Sequence, residues 1–435
     1  MKDDKFRYKS IRDPLYGFID LSEIEIKVID SAVFRRLQNI KQLSHAYVVY
    51  PTAIHTRFEH ALGATHLADR ISIQLGFNDE IREVVRLSAL LHDIGHGPFS
   101  HLFEEILSIV NHEKISHDKI STILIKTDPE LNEILGDKVD KIIQLLDHQQ
   151  VNSWSLSDST LATDIISGAL DVDKMDYLRR DSYHIGVAYG QFDLARIIHT
   201  ITSTPDPDEK RICIKDKGKD AIENYRLGRY LMHAQVYQHH ARLTADQMFL
   251  RALDLAVNDE DIIPNNKLKV NTKSLTANNE FVEFFKCHDD RSIYDLIIGK
   301  NPNSKAATLL KDIQKRRLLK RSCQILPDKE VENAIIRDRV MKMQYSDLKS
   351  FSKEIAEKLS LEYYNIIAYL SEIPVGLYEG EILILWKNIP RKLDDFSPIT
   401  ITKAAVNNFY VFSKNEPEPM NRIDGYVKNK FGMTV

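Results

Sequence analysis

The stretch Leu90-Leu91-His92-Asp93-Ile94-Gly95-His96-Gly97-Pro98-Phe99-Ser100-His101 constrains this chain more than any other. It sets three histidines and an aspartate directly behind an apolar run, Val84, Val85, Leu87, Ala89, Leu90 and Leu91, whose spacing predicts the buried end of a helix. Adjacent His92 and Asp93 reach one cation together only where that helix is held by packing, and Gly95, Gly97 and Pro98 break it beside the pair. A metal centre at a helix end is therefore expected. A hydrolytic metal takes about four protein ligands at most and keeps a position open for water, so two further ligands have to come from elsewhere in the chain.

The 435 residues suit two domains, or one large helical domain with an appendage, and 43% apolar residues are ample for a core. With a net charge of -4, phosphate binding falls to a local cluster of Arg and Lys, and nucleic acid is not expected as the main ligand. Cys213, Cys287 and Cys323 are far apart and form no CxxC, which predicts reduced thiols in a cytoplasmic protein. No stretch approaches the apolar length of a membrane span and the first residues lead into no apolar leader, so no membrane association is expected.

Read in order, Pro14 and Gly17 punctuate Ile11–Leu21 as a small hairpin, and helical spacing follows over Ile26–Leu43. His60 opens a helix whose inner face continues through Ala64, Leu67, Ile71 and Leu75 to Gly76, with Arg57 one turn earlier. Read alone, such a histidine is more plainly a core residue than a ligand. Helices are next expected over Ile115–Ile125 and Leu131–Leu146, then a loop over His148–Ser159. Between Ile166 and Gly186, Asp173, Tyr177, Asp181 and His184 recur at steps of four, four and three, one polar stripe on a helix. Lys174, Arg179 and Arg180 charge its other faces, and a helix polar all round is unstable unless it lines a ligand.

A third stripe, Arg229, His233 and Tyr237 with Gln238 beside it, lies in a helical run from Lys219 to Leu255. Pro and Asn become frequent from Asp259 to Asn279, which sets the expected domains at 1–258 and 259–435. Beyond, helical patterns cover Glu280–Gly299, Ser304–Lys315 and Tyr345–Leu359, the basic run Lys315–Arg321 reads as an amphipathic surface element, and Glu381–Asn388 and Asn407–Lys414 read as strands. The expected fold class is mainly α, with a small N-terminal hairpin and a mixed α+β C-terminal region.

Six motifs in fixed order, IRDPLYGFIDL, FRRLQNIKQL, HTRFEH, LLHDIGHGPFSH, DVDKMDYLRRD and HAQVYQH, resemble the HD-domain phosphohydrolases, and within them the deoxynucleoside triphosphate (dNTP) triphosphohydrolases. The resemblance runs from about Lys9 to Leu255. It implies a helical HD core holding one divalent metal ion through His60, His92, Asp93 and Asp173, a donor set that suits Mn, Fe, Ni or Zn and, through its oxygens, Mg. It carries the family's acid and base roles to His96 and His112, with Glu104 as the carboxylate paired to the histidine and His101 facing the substrate. On the residues alone, His112 ranks even with His117. Phosphate contacts are implied for Arg57, Lys174 and Arg229, and sugar contacts for Gln42, Leu43, Tyr177 and Asp181. Tyr237 matches the aromatic that leaves no room for a 2′-hydroxyl, with His233 and Gln238 beside it in the substrate pocket.

The reaction so implied is water attack at the α-phosphorus of a dNTP, releasing a deoxynucleoside and intact triphosphate. An HD phosphohydrolase of monophosphates or cyclic nucleotides would not need Arg57, Lys174, Arg229 or Tyr237, and a nucleotide-binding protein without turnover predicts a broken ligand set. Regulated members of the family bind an activating nucleotide between subunits. The matching positions are Lys9, Asp30 and, in place of an arginine, Gln38, with Arg35 and Arg36 nearby. Glutamine lacks the planar cationic fork. The resemblance thus implies a homo-oligomer, a tetramer or dimer, whose allosteric nucleotide is absent or differs in base from strict guanine. No SAM domain is expected before Ile11.

Overall fold

The computed structural model describes residues 5–206, 208, 210–373, 381–397 and 406–433. Residues 1–4, where no leader is expected, lie outside them. The expected hairpin is present as β1 (Lys9–Asp13) and β2 (Gly17–Leu21), antiparallel with Lys9 opposite Leu21. The helix expected over Ile26–Leu43 is instead three pieces: α1 (Glu23–Asp30), α2 (Ala32–Arg35) and a 3-10 turn, Arg36–Asn39. Ser31 makes the break, with extended backbone at ψ 147° and a hydroxyl that donates back to the Val28 carbonyl at 2.7 Å. That break turns Arg36 inward.

The core of the molecule is built on α3 (Arg57–Leu75) packed against α4 (Asp79–Leu91). Asn78 caps α4, its side chain accepting from Ile81 N at 3.0 Å, and α4 stops at His92. There follow α5 (His101–Asn111), α6 (His117–Thr127), α7 (Pro129–Leu135), α8 (Val139–Leu146), α9 (Leu156–Ser167), α10 (Val172–Ile185) and α11 (Leu194–Thr200). Then β3 (Ile201–Ser203) pairs antiparallel with β4 (Ile212–Lys215).

The run expected from Lys219 to Leu255 is two helices, α12 (Lys219–Met232) and α13 (His240–Asp254), joined through a π turn at His233–Tyr237. Gln238 N donates to the His233 carbonyl at 3.1 Å, five residues back. A single π turn widens the helix and re-aims the side chains it carries, a device common at functional sites.

Helices Asn279–Cys287, Asp290–Lys300 and Lys305–Gln314 join the same apolar core as α3, α4 and α13, so packing crosses the division expected at 258/259. A second, smaller core holds helices Tyr345–Leu359 and Pro417–Lys430 against a three-stranded antiparallel sheet. Its strand order is Lys320–Ile325, Val406–Ser413, Ile367–Ile373. The strand Leu383–Trp386 instead pairs in parallel with β4 and ties this C-terminal part to the larger core. The basic run ends in a strand, with Arg316 Nε donating to the Val48 carbonyl at 2.9 Å. The fold is mainly α with small sheets, as expected, and no helix among the described residues is long and apolar enough to cross a membrane.

Candidate active site

Three helix segments converge on one point: α3 near its start, the end of α4, and the first turn of α10. Asp171 caps α10 by accepting from Lys174 N at 2.8 Å, which sets Asp173 in that first turn. Gly63 lets α3 and α10 meet, since a Cβ there would stand 1.9 Å from Asp176 Oδ1. His60 Nε2 consequently lies 3.0 Å from Asp173 Oδ1, 3.2 Å from His92 Nε2 and 3.6 Å from Asp93 Oδ2. His92 Nε2 is 3.4 Å from Asp93 Oδ1 and 3.6 Å from Asp173 Oδ1. Donor atoms about 2.0–2.2 Å from one divalent ion stand roughly 3 to 3.5 Å from one another, so His60, His92 and Asp93 could hold such an ion, with Asp173 beside the two histidines. His60 and Asp93 are buried while Asp173 is half-buried, which opens the cluster on the Asp173 side.

The ring of His60 is held from behind. Its Nδ1 lies 2.8 Å from Asp176 Oδ2, and Asp176 also accepts from Arg180 Nε at 2.8 Å and from Tyr16 Oη at 2.8 Å. Arg180 then reaches Asp13 at 2.9 Å, so the N-terminal hairpin braces the ligand. A carboxylate behind a ligating imidazole fixes its tautomer and raises its basicity. Against the effect of burial, Arg180 and His60 hold the Asp176 carboxyl far below its usual range, so it stays an acceptor. His92 is oriented the same way, with Nδ1 2.7 Å from the Ala89 carbonyl.

A second group adjoins the first. His96 Nε2 lies 3.3 Å from Asp93 Oδ1 and its Nδ1 lies 3.1 Å from Glu104 Oε1. The same Glu104 oxygen is 2.8 Å from His101 Nδ1 and 3.2 Å from His117 Nδ1, and the His117 ring stacks on His96 with centroids 3.9 Å apart. Gly95 permits this approach, because a Cβ there would stand 2.1 Å from the His117 carbonyl oxygen. Burial, Arg57 and His117 push the His96 imidazole down to about 3, whereas Glu104 overcomes burial and lifts His117 to about 9. At neutral pH a neutral His96 therefore stacks on a cationic His117.

His112 is not brought into this group. It ends α5 in the left-handed region at φ 55°, ψ 29°, and is exposed, while the chain turns back and brings His117, at the start of α6, to Glu104. Which of the two histidines enters the site depends on where α5 stops, and the sequence offers no breaker there.

Asp93 and Asp173 of the first group and His96, His101 and His117 of the second line a cavity of about 480 Å³. Of the residues expected at the substrate, Gln42, Leu43, Arg57, His101, Tyr177, Asp181, His233, Tyr237 and Gln238 line it. Lys174 and Arg229 are buried but are not among the lining residues, and Lys174 Nζ pairs with Asp171. Arg57 bonds Asp93 and donates from Nε to Ser100 Oγ at 2.7 Å. Tyr237 Oη donates to Asp181 Oδ2 at 2.7 Å, and His55 Nε2 lies 2.8 Å from Asp181 Oδ1. Gln42 Oε1 is buried without a hydrogen-bond partner among the described residues, an acceptor suited to a ligand's donor.

Several site residues were not foreseen. Asp13, Tyr16, Asp176 and Arg180 stand behind His60, His55 behind Asp181, and Glu105, Arg242, Asp246 and Tyr369 line the rest of the cavity. The i, i+4 spacing of Asp176 and Arg180 is a signal for a pair on one helix face. Of the regulatory candidates, Lys9, Asp30, Arg35 and Gln38 are exposed, and Asp30 pairs with Arg35 at 3.5 Å. Arg36 cannot replace a missing surface charge. It is buried, donates to the carbonyls of Ile94 and His96, and lies over the Phe285 ring at 4.1 Å.

Comparison with known proteins places this geometry. The family described as HD domain matches residues 57–181, and that described as HD associated region matches residues 192–410. An uncharacterized protein of Methanocaldococcus jannaschii is 39% identical over 254 residues, covering 58% of this chain and 51% of its own length. Human deoxynucleoside triphosphate triphosphohydrolase SAMHD1 is 27% identical over 380 residues, 80% of this chain and 58% of that protein. The chain thus spans about half the length of the curated relatives it matches. The crystal structure of a phosphohydrolase from Bacteroides thetaiotaomicron superposes with a TM-score of 0.72 at 27% identity, covering 94% of this chain and 100% of that one.

Proposed function

This chain belongs to the HD-domain family, HD associated region included, and from that premise we propose that it hydrolyses a dNTP to a deoxynucleoside and triphosphate. The observation that carries the reading is the Tyr237–Asp181 hydrogen bond on the wall of the cavity that also contains Asp93 and Asp173 of the metal-binding cluster. A phenol anchored in this way is a rigid wall on the sugar side, which discriminates by exclusion. The likeness to SAMHD1 supports the same substrate class.

A divalent ion, Mn, Fe, Ni, Zn or Mg, supplies Lewis acidity toward the α-phosphate and lowers the pKa of a water when bound at His60, His92, Asp93 and Asp173. The chain's own groups do the rest. Arg57 sets a guanidinium beside Asp93 on the cavity wall, the position for a phosphate contact. Cationic His117, held so by Glu104, is the proton source for the leaving oxygen, and neutral His96 stacks on its ring beside Asp93. Asp181 accepts from the sugar hydroxyl, and Gln42 Oε1 offers a separate acceptor to another donor of the ligand.

In this reading the enzyme is a cytoplasmic homo-oligomer, tetramer or dimer. Its three free cysteines suit a reducing compartment, and the exposure of Lys9, Asp30, Arg35 and Gln38 suits contact with a regulatory nucleotide. The test is incubation with each dNTP and NTP plus Mn or Mg, with products separated. Deoxynucleoside and triphosphate in equal amounts support the reading; release of pyrophosphate or phosphate, or equal turnover of NTPs, overturns it.

A further inference from the structure

The histidines beside the first cluster have the makings of a metal site of their own. His96 Nδ1, His101 Nδ1 and His117 Nδ1 lie 3.1, 2.8 and 3.2 Å from a single atom, Glu104 Oε1. A carboxylate oxygen has two lone pairs, so it does not serve three imidazoles at once. His96 is the one left out: its Nδ1 is buried and makes no hydrogen bond among the described residues. The far nitrogens of two of these rings are backed by carboxylates, His96 Nε2 by Asp93 Oδ1 at 3.3 Å and His117 Nε2 by Asp118 Oδ1 at 3.2 Å. An imidazole that donates to a carboxylate through one nitrogen can present a lone pair at the other, the arrangement that supports a metal ligand.

One ligand atom from each of the four residues lies within 4.8 Å of every other, and each nitrogen is about as far from the Glu104 oxygen as two ligands of one ion stand from each other, roughly 3 to 3.5 Å. His101 and Glu104 stand one turn apart at the start of α5, and His117 opens α6. His96, His101 and His117 line the cavity, so an ion reaches them through it. We propose that His96, His101, Glu104 and His117 form a second metal site, one that takes zinc-type ions. Three imidazoles and one carboxylate suit Zn, Co or Ni and suit Mg or Mn poorly, whereas the first cluster adds Asp93 and Asp173 to its two histidines. A zinc ion bound at the second site takes the place of the proton on His117 Nδ1, which passes to solvent. The first metal stays and the proton source is gone. That consequence rests on the reading of His117 in dNTP hydrolysis, and the site itself does not.

The experiment equilibrates manganese-loaded protein with rising zinc, removes unbound ions and counts both metals by elemental analysis, with dNTP turnover measured on the same samples. Wild type should reach two ions per subunit in total. His101→Ala, which replaces an exposed side chain at the start of α5, and His117→Ala should each stop at one. Asp173→Ala, broken at the first cluster, should still take up zinc, and adding His101→Ala to that variant should abolish the uptake. Zinc bound with manganese retained should cut turnover by about 10² to 10⁴, as loss of the proton source would. One ion per subunit in wild type at saturating zinc, or a second ion that survives both His101→Ala and His117→Ala, overturns the site. A second ion bound without loss of turnover bears out the site and overturns the role of His117. Absence of dNTP turnover before zinc is added overturns the dNTP reading alone, since the metal counts do not depend on it.

Discussion

Replacing Glu104 with glutamine separates the acid–base pair from the rest of the site. Glu104 Oε1 meets His117 Nδ1 at 3.2 Å and is what lifts that imidazole from the ordinary 6.5 to about 9 against burial. Glutamine keeps the shape and removes the charge, so most of the rise, roughly two pH units, should be lost. If turnover needs cationic His117, the alkaline limb of the kcat/KM profile lies near pH 9 in wild type and near 7 in the variant. The fraction protonated then predicts a loss of about tenfold at pH 8 and under about twofold at pH 6. Stability follows the same sign. A folded-state pKa raised above its unfolded value stabilises fully below about 6.5, and that contribution disappears as pH climbs through about 9. Glu104→Gln should therefore cost more stability at pH 6 than at pH 10, by at most about 3 kcal/mol for a shift of this size, seen as a larger fall in Tm at pH 6. Rate profiles on metal-loaded protein and calorimetry at both pH values measure the two effects. A rate loss of equal size at every pH would refute the reasoning, since Glu104 would then act without setting the charge of His117.

Asp173→Ala should lose bound metal and hydrolysis together, as read by elemental analysis and product release, because it removes one of two carboxylates from the cluster. Gly63→Ala should lower metal affinity by about 10- to 100-fold with every ligand intact, because its Cβ meets Asp176 and displaces the support behind His60; full metal retention would show that the Asp176 contact is dispensable. His117→Ala should keep its metal and lose about 10² to 10⁴ in rate, while His112→Ala, altering an exposed helix end, should match wild type in the same assay. Tyr237→Ala should raise NTP turnover relative to dNTP, and an unchanged ratio would remove the sugar wall from the argument.

The stretches that carry the candidate ligands were legible because each has a spacing that declares a helix and an apolar face that declares which side is buried. The helix positions of His60 and Asp173 and the place of His92 at a helix end follow from local pattern, whereas the ligand role of His60 and Asp173 rests on the family resemblance. What local pattern did not carry is where helices stop and what they press against. Ser31 ends α1 with a hydroxyl bond to Val28, and only that break sends Arg36 inside to hold the carbonyls of Ile94 and His96. The π turn at His233–Tyr237 interrupts a run with uninterrupted helical spacing. Tyr369 reaches the cavity from a strand of the C-terminal sheet, and no motif near it announces that. Gly63 and Gly95 show the reason most plainly. Each reads as a helix-weakening residue until its partner is known, and the partner, Asp176 in one case and the His117 carbonyl in the other, is supplied by a different helix. Close approach is a property of two segments at once, so a glycine that positions a metal ligand or a proton donor carries its meaning in the segment it faces. The helices that carry the candidate metal ligands could be read one at a time, whereas the supports behind them required the helices to be assembled.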